Sequence, residues 1–304
     1  MPTFSARDWT NGKLEEMERH LRGIYSRAEK ELGEAWKAYM TEASSKIEKL
    51  GEAYGAAKAT GNADAIRAAG IAVSKAKQER TILNARYQAL TKDSAQSITK
   101  VNQTAAAYIN GQLPQIYSVN YNEVARVANK AVTARISGRV SFELVDAGTI
   151  KRLSTVEENL LPYKVVNGKL DVRWNVAKIN AEVTQGILQG ESIPNISKRL
   201  SAVLDMNKTS AIRNARTTVT SAENKGRVDM MHDAAEKGVI MKKGWSAHTD
   251  GRERASHAAL DGDFVDIDDE FANGLQYPGD PDGEPEEVYN CRCSLVYDVV
   301  GFRQ

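Results

Sequence analysis

Apolar side chains recur every three or four residues without a break from Leu14 to Tyr54, through Met17, Leu21, Ile24, Ala28, Leu32, Ala35, Tyr39, Ala43, Ile47 and Leu50. Only an α-helix brings such a series onto one face, and a stripe of about eleven turns has to be covered by another helix. Glu and Lys fill the intervening positions. Gly51 and Gly55 weaken the pattern, and Thr60-Gly61-Asn62 ends it. A second run then places Ala65, Ile66, Ala69, Val73, Ala76, Leu83, Tyr87 and Leu90 at helical spacing. Two such runs joined by a short break predict an antiparallel helical hairpin. The stripe reads as a packing seam rather than a cofactor site.

Helix is expected to continue over 94–137, with an interruption at Gly111-Gln112-Leu113-Pro114, because a proline disfavours helical geometry in the residue before it. Residues 140–145 alternate, with Val140, Phe142 and Leu144 on one side, and predict a short strand. Residues 146–172 carry weak signals and are expected to form loops with short helices. Further helices are predicted over 171–188, from Pro194 through Leu204, and from about Asn207 to a stop at Gly238. The last has a small-residue face (Ala211, Ala215, Ala222, Gly226). It also has a polar series, Arg216, Thr220 and Glu223, which reads as a buried ion-pair network or a plain polar stripe.

Past Gly244 the period changes to two, which predicts a strand. Asp250 and Glu253 have capping-box spacing ahead of a short helix over 252–260 that Gly262 would end. A second short strand is expected over 264–267. Residues 273–287 include Pro278-Gly279-Asp280-Pro281-Asp282-Gly283-Glu284-Pro285, too rich in turn residues for regular structure. The last strand, 291–300, would present Cys291, Cys293, Leu295 and Tyr297 on one face. The fold class is therefore mostly α with a small α+β C-terminal domain. Three regions are expected: a helical hairpin with extended helices over 1–110, a mixed connector over 111–170, and a C-terminal domain over 171–304, with helices over 171–238 and an α+β unit over 243–300.

Hydrophobic residues at 41% and charged residues at 27% suit a globular protein, and no apolar run reaches membrane-spanning length. No leader pattern follows Met1, so folding in a cytoplasm is expected. Two cysteines one residue apart cannot staple a fold. Residues 245–304 hold 4 basic and 14 acidic side chains, which leaves the rest of the chain basic. Arg199, Lys208, Arg213, Lys225, Arg227, Lys242 and Lys243 are candidates for salt-dependent, non-specific phosphate contacts on DNA.

The one constellation with specific chemistry is His257 with Cys291 and Cys293, borderline-soft ligands that suit zinc, with His248 or a carboxylate as the fourth. The competing reading is two buried thiols beside a hydrogen-bonded histidine. A metal-dependent hydrolase or nuclease-like effector using this cluster is the enzymatic alternative. The chain shows no phosphate-binding glycine loop, GxSxG or HExxH motif, and the acidic residues over 261–287 fit no EF-hand.

The run 174–204 and the triplet Ala215-Arg216-Thr217, followed by Ala222 and Asn224, belong to a longer ordered set. It continues through Trp245, Asp250, Arg252, His257, Leu260-Asp261-Gly262 and Pro278-Gly279-Asp280-Pro281 to Asn290-Cys291-Arg292-Cys293. Together these resemble the Mu F-type family of phage minor head (head morphogenesis) proteins over about residues 170–297. The resemblance implies a minor capsid component of a tailed bacteriophage, made in the host cytoplasm and located inside the head near the portal vertex. It implies roles in procapsid assembly and in handling or delivery of packaged DNA. The implied partners are the portal protein, scaffold or major capsid protein, and DNA without sequence preference, with no membrane during assembly.

Such proteins are not generally enzymes, although some relatives carry fused toxin or ADP-ribosyltransferase domains, so no catalytic residue and no cofactor beyond zinc is expected. Arg216, Trp245, Asp250, Arg252, His257, Asp261, Gly262, Asn290, Cys291, Arg292 and Cys293 are expected to fix the conformation of the C-terminal unit. Two departures stand out. Thr218 stands where many relatives have Glu, with Glu223 as a substitute, and Arg254-Ala255-Ser256-His257 stands where many have CxxC. The second removes one potential ligand and leaves an Arg–Asp–His cluster as an alternative way to hold the domain.

Overall fold

The computed structural model describes residues 5–79, 85–135, 142–148, 150, 168–189 and 191–303. Its elements are α1 (Ala6–Thr60), α2 (Ala63–Glu79), α3 (Ala85–Arg135), α4 (Gly168–Leu188), α5 (Ile193–Glu236), β1 (Val239–Ser246), α6 (Ala255–Ala259), β2 (Phe264–Asp266), α7 (Pro285–Val288) and β3 (Ser294–Phe302). The chain is mostly helical with one small antiparallel sheet, as the periodicities predict. It divides into two compact units, residues 21–105 with 166–210, and residues 1–20 with 106–165 and 211–304.

In the first of these units the seam of α1 is buried at Leu21, Ile24, Tyr25, Ala28, Trp36, Tyr39 and Met40. Ala35, expected on that seam, is exposed, and its neighbour Trp36 fills the core instead. Trp36 meets Tyr87 edge-on at 5.5 Å and donates from its indole nitrogen to Ser94 Oγ at 2.9 Å. Gly61, with φ of +67°, ends α1, and Gly70 on α2 lies against the Tyr54 ring, so the chain turns back as expected. Leu83 lies outside the described residues. A ladder of side-chain amides crosses this unit. The Tyr25 hydroxyl donates to Asn102, Asn102 to Asn207, Asn207 to Asn175, and Asn175 to the Thr99 hydroxyl. Buried amides need partners, so this ladder favours one register of the packed helices.

Two expected breaks do not occur. α3 runs through Pro114, and Leu113, Ile116 and Tyr117 around it are buried. A proline removes one helical hydrogen bond at a cost of about 3 kcal/mol, which burial of three large side chains exceeds. Residues 193–236 form one helix rather than two, because Asn207 bonds back to the carbonyl of Val203 instead of starting a new turn.

In the other unit α5 is buried against α3 and the sheet, whose strand order is β2-β1-β3. β1 pairs antiparallel with both neighbours, placing Lys242 opposite Asp266 and Asp298, and Trp245 opposite Leu295. Gly238, at φ +85°, separates α5 from β1, which starts earlier than the period change at Gly244 suggests. Helix α6 is shorter than expected. The Asp250–Glu253 pair forms half of its capping box, from the Asp250 amide to Glu253 at 3.0 Å, but the helix begins only at Ala255.

The strand expected over 140–145 is not one across its described residues, 142–145. Asn129 takes both backbone groups of Phe142 and Asn122 takes both of Val145, so side-chain amides of α3 satisfy what a ladder would. Val140 lies outside the described residues.

Gly226 marks a close approach of α5 to α3. A Cβ there would sit 2.6 Å from the Tyr117 carbonyl oxygen of α3. Backbone cannot retreat as a side-chain tip can. Gly226→Ala is therefore expected to lower stability by about 1–3 kcal/mol, read as a lower urea midpoint at unchanged slope. An unchanged midpoint would show that the two helices separate at no cost.

Candidate functional site

The site forms where α5 meets residues 290–295. Four α5 side chains spaced by three or four, Thr217, Thr220, Asn224 and Arg227, run along this segment. The Asn290 amide donates to Thr217 Oγ1 at 2.9 Å, and Thr220 Oγ1 donates to the Cys291 carbonyl at 2.7 Å. Asn224 accepts from the Leu295 amide at 2.8 Å and donates to the carbonyls of Cys293 at 3.3 Å and Pro278 at 2.9 Å. Arg227 donates to the Leu295 carbonyl at 2.5 Å. Asn290 adopts φ of +61°, a left-handed conformation that asparagine tolerates, at the turn into this segment.

Held in this way, Cys291 and Cys293 place both sulfurs on the same ring nitrogen. His257 Nδ1 lies 3.6 Å from Cys291 Sγ and 3.4 Å from Cys293 Sγ. All three residues are buried, against Trp245, whose ring meets the imidazole edge-on at 5.0 Å. The far nitrogen, Nε2, is 2.9 Å from a Glu287 carboxylate oxygen, a close contact set off the line of a good hydrogen bond. Ser256 also donates to that carboxylate. The two thiols compete for one charge. Hydrogen bonding from Cys291 pulls the Cys293 thiol well below its usual range, helped by His257 and the His248 backbone, while the same contact and burial push Cys291 up.

Around this core the other expected residues take separate structural posts. Trp245 is fully buried and stacks edge-on against Phe271. Asp250 binds Arg252 and Arg292, each at 2.7 Å, and its carboxyl is held far below the usual range, first by Arg292 and then by Arg252. Asp261 accepts from the Ala247 amide, and the Gly262 amide donates to the Trp245 carbonyl at φ +86°. Arg216 grips Glu18 with two hydrogen bonds and reaches Asn290 at 3.4 Å. Thr218 bonds only within its own helix. Glu223 is buried between Arg227 at 2.9 Å and the Ser294 hydroxyl at 2.8 Å, with burial raising its pKa.

The Arg–Asp–His cluster does not form. Asp250 pairs with two arginines, Arg254 donates to the Tyr289 carbonyl, and His257 faces Glu287. Glu287 was missed because 273–287 reads as irregular, whereas Pro285 starts the one-turn α7 that carries it. His248 does not join the three ligand atoms that lie within 4.8 Å of one another; burial lowers its pKa.

Two of the DNA-contact candidates are corrected. Arg227 is 2% exposed and holds Glu223, Asn120 and the Leu295 carbonyl, and Lys243 is fully buried, so neither can reach a phosphate. Four others face carboxylates: Arg199 meets Glu191 and Glu182, Lys208 meets Asp205, Lys225 meets Asp229, and Lys242 meets Asp266. Arg213 is exposed and lines a cleft of about 460 Å³ with Thr217, Ser221, Pro281 and Tyr289. Among the described residues that line it, that cleft presents Arg213, Asn214 and hydroxyls but no carboxylate or histidine. No described helix is long and apolar enough to cross a membrane.

Residues 177–296 match the family model described as Phage Mu protein F like protein. The chain is 27% identical over 293 residues to the Minor head protein GP7 of Bacillus phage SPP1, covering 94% of this chain and 87% of that one. It is also 29% identical over 125 residues to the NAD(+)--arginine ADP-ribosyltransferase EFV of Enterococcus faecalis. That match covers 40% of this chain and only 26% of the transferase, so the transferase activity is that protein's own. No solved structure matches the chain.

Lys243 provides a reporter of this unit's integrity. Its ammonium donates to Gln276 at 2.7 Å, and burial brings its pKa down to about 8, against the opposing pull of Asp268, Asp269, Asp280 and Glu270. The unfolded chain therefore keeps this proton to higher pH than the folded one, and stability rises with pH through that window. Tyr117, Tyr121, Tyr277 and Tyr297, raised by burial, act in the opposite sense only above pH 10. Between about pH 8 and pH 10, urea unfolding is expected to show stability rising more steeply in the wild type than in Lys243→Met. Parallel curves would mean that the ammonium is solvated.

Proposed function

We propose that this chain, a Mu F-type minor head protein of a phage, works in the virion as an assembly protein at the portal vertex. The observation that carries this reading is the similarity to a minor head protein along nearly the whole chain, not only over the C-terminal module. Its helices dock on the portal protein and on scaffold or major capsid protein during procapsid assembly, and it stays inside the head near the packaged DNA. Contact with DNA is secondary and non-specific. Arg213, which is exposed, can contribute to it, whereas Arg227 and Lys243 are spent on the protein's own interior.

The C-terminal cluster acts in folding rather than catalysis. His257, Cys291 and Cys293 are 1%, 2% and 4% exposed, which leaves no path for a phosphodiester or a peptide to reach them. A hydrolase needs its nucleophile at a cleft.

Co-expression with the portal protein of the same phage tests this reading. The tagged chain is expected to retain portal protein through high-salt washes, and to be present in purified procapsids. Absence from procapsids together with no portal retention would overturn it. Retention on DNA that persists as salt rises would contradict the secondary, electrostatic role given to DNA.

A further inference from the structure

Two sulfurs, those of Cys291 and Cys293, meet on one imidazole nitrogen, His257 Nδ1. A neutral ring nitrogen carries either a single proton or a single lone pair, so Nδ1 can serve Cys291 or Cys293 but not both. A tetrahedral cation serves both at once. With zinc–sulfur bonds of about 2.3 Å and zinc–nitrogen bonds of about 2.0–2.1 Å, the edge from sulfur to nitrogen in a tetrahedron is about 3.6 Å. The two sulfurs lie 3.6 and 3.4 Å from Nδ1, so the ligand atoms already stand at the corners of such a site.

The surroundings fit the same reading. Glu287 lies 2.9 Å from Nε2, beside the ring nitrogen that faces away from the sulfurs, where a carboxylate stands in carboxylate–histidine–metal arrangements. The Cys293 amide donates to Cys291 Sγ at 3.4 Å, a contact that supports negative charge on sulfur. Two thiolates and an imidazole select zinc over the oxygen-seeking cations.

We propose that His257 Nδ1, Cys291 Sγ and Cys293 Sγ bind one zinc ion. Binding releases to solvent whatever thiol protons the two cysteines still carry and forms two zinc–sulfur bonds and one zinc–nitrogen bond, with no change in oxidation state. The ion ties α6 to residues 291–293 and so closes the C-terminal unit. The proposal is independent of the role in head assembly.

The test uses the full-length chain purified under reducing conditions without chelator. Native and denaturing mass spectrometry are expected to differ by one zinc per chain. Cysteine-to-cobalt charge-transfer absorption is expected after exchange with cobalt. Cys293→Ser and His257→Ala are expected to lose the ion, Glu287→Gln to bind it on the order of 10–100-fold more weakly, and His232→Ala, on the half-exposed part of α5, to keep it.

A wild-type protein that holds no zinc after incubation with zinc chloride would overturn the proposal, as would zinc retained undiminished in Cys293→Ser. If either ligand variant fails to fold, the wild-type cobalt spectrum decides. Cobalt bound without sulfur charge transfer would also overturn the site.

Discussion

Side chains of a helix stand in for a neighbouring strand: that substitution, between α5 and residues 290–295, is what the C-terminal unit depends on. Thr217 takes the exposed Asn290 amide, and Thr220, Asn224 and Arg227 satisfy backbone groups of Cys291, Cys293 and Leu295 that would otherwise be orphaned in the interior. Each such group left without a partner costs about 1–3 kcal/mol. A helical spacing of three and four residues can follow an extended chain only over a short distance, and here it does so over residues 290–295, into the first two residues of β3. The Asn224 side chain contributes most, because it also holds the Pro278 carbonyl and thereby the turn-rich loop.

Arg227 extends the same row into the core. Its guanidinium reaches Glu223 on its own helix, Asn120 on α3, and both Ser294 and Leu295 at the start of β3. A buried pair of this kind is costly to desolvate and stabilises little compared with apolar packing, but removing one partner strands the other charge. Its effect is to fix position: with α3, α5 and β3 tied at one point, the residues just before β3 have a single path. That path brings Cys291 and Cys293 to His257, and Glu287 completes the arrangement from α7. Glu287 thus links the acidic loop to the buried cluster.

The sequence made the long helices, the C-terminal sheet and the motif residues legible because each rests on a local signal. The 3.6-residue period persists through α1, and Gly61 and Gly238 mark ends that only their left-handed backbone permits. Pro114 misled because propensity is local, whereas the burial of Leu113 and Tyr117 is not. The pattern over 140–145 misled because Asn122 and Asn129, more than ten residues away, take the backbone groups a strand partner would. Positive charge was likewise read without partners: nothing local distinguishes Arg227 and Lys243, both buried, from Arg213, which is exposed. The His257–Cys291–Cys293 grouping was visible from residue type alone, but its neighbouring carboxylate was hidden in a stretch with no periodicity.

Hydrogen exchange of Asn224→Ala against the wild type tests the central claim most directly. If α5 supplies the hydrogen bonds that hold residues 290–295, exchange should speed up at Leu295 and through the 275–303 segment, while amides of α1 and α2 within residues 21–79 keep their protection. Unchanged protection at Leu295 would contradict the account, and would mean that sheet pairing alone holds the segment in place.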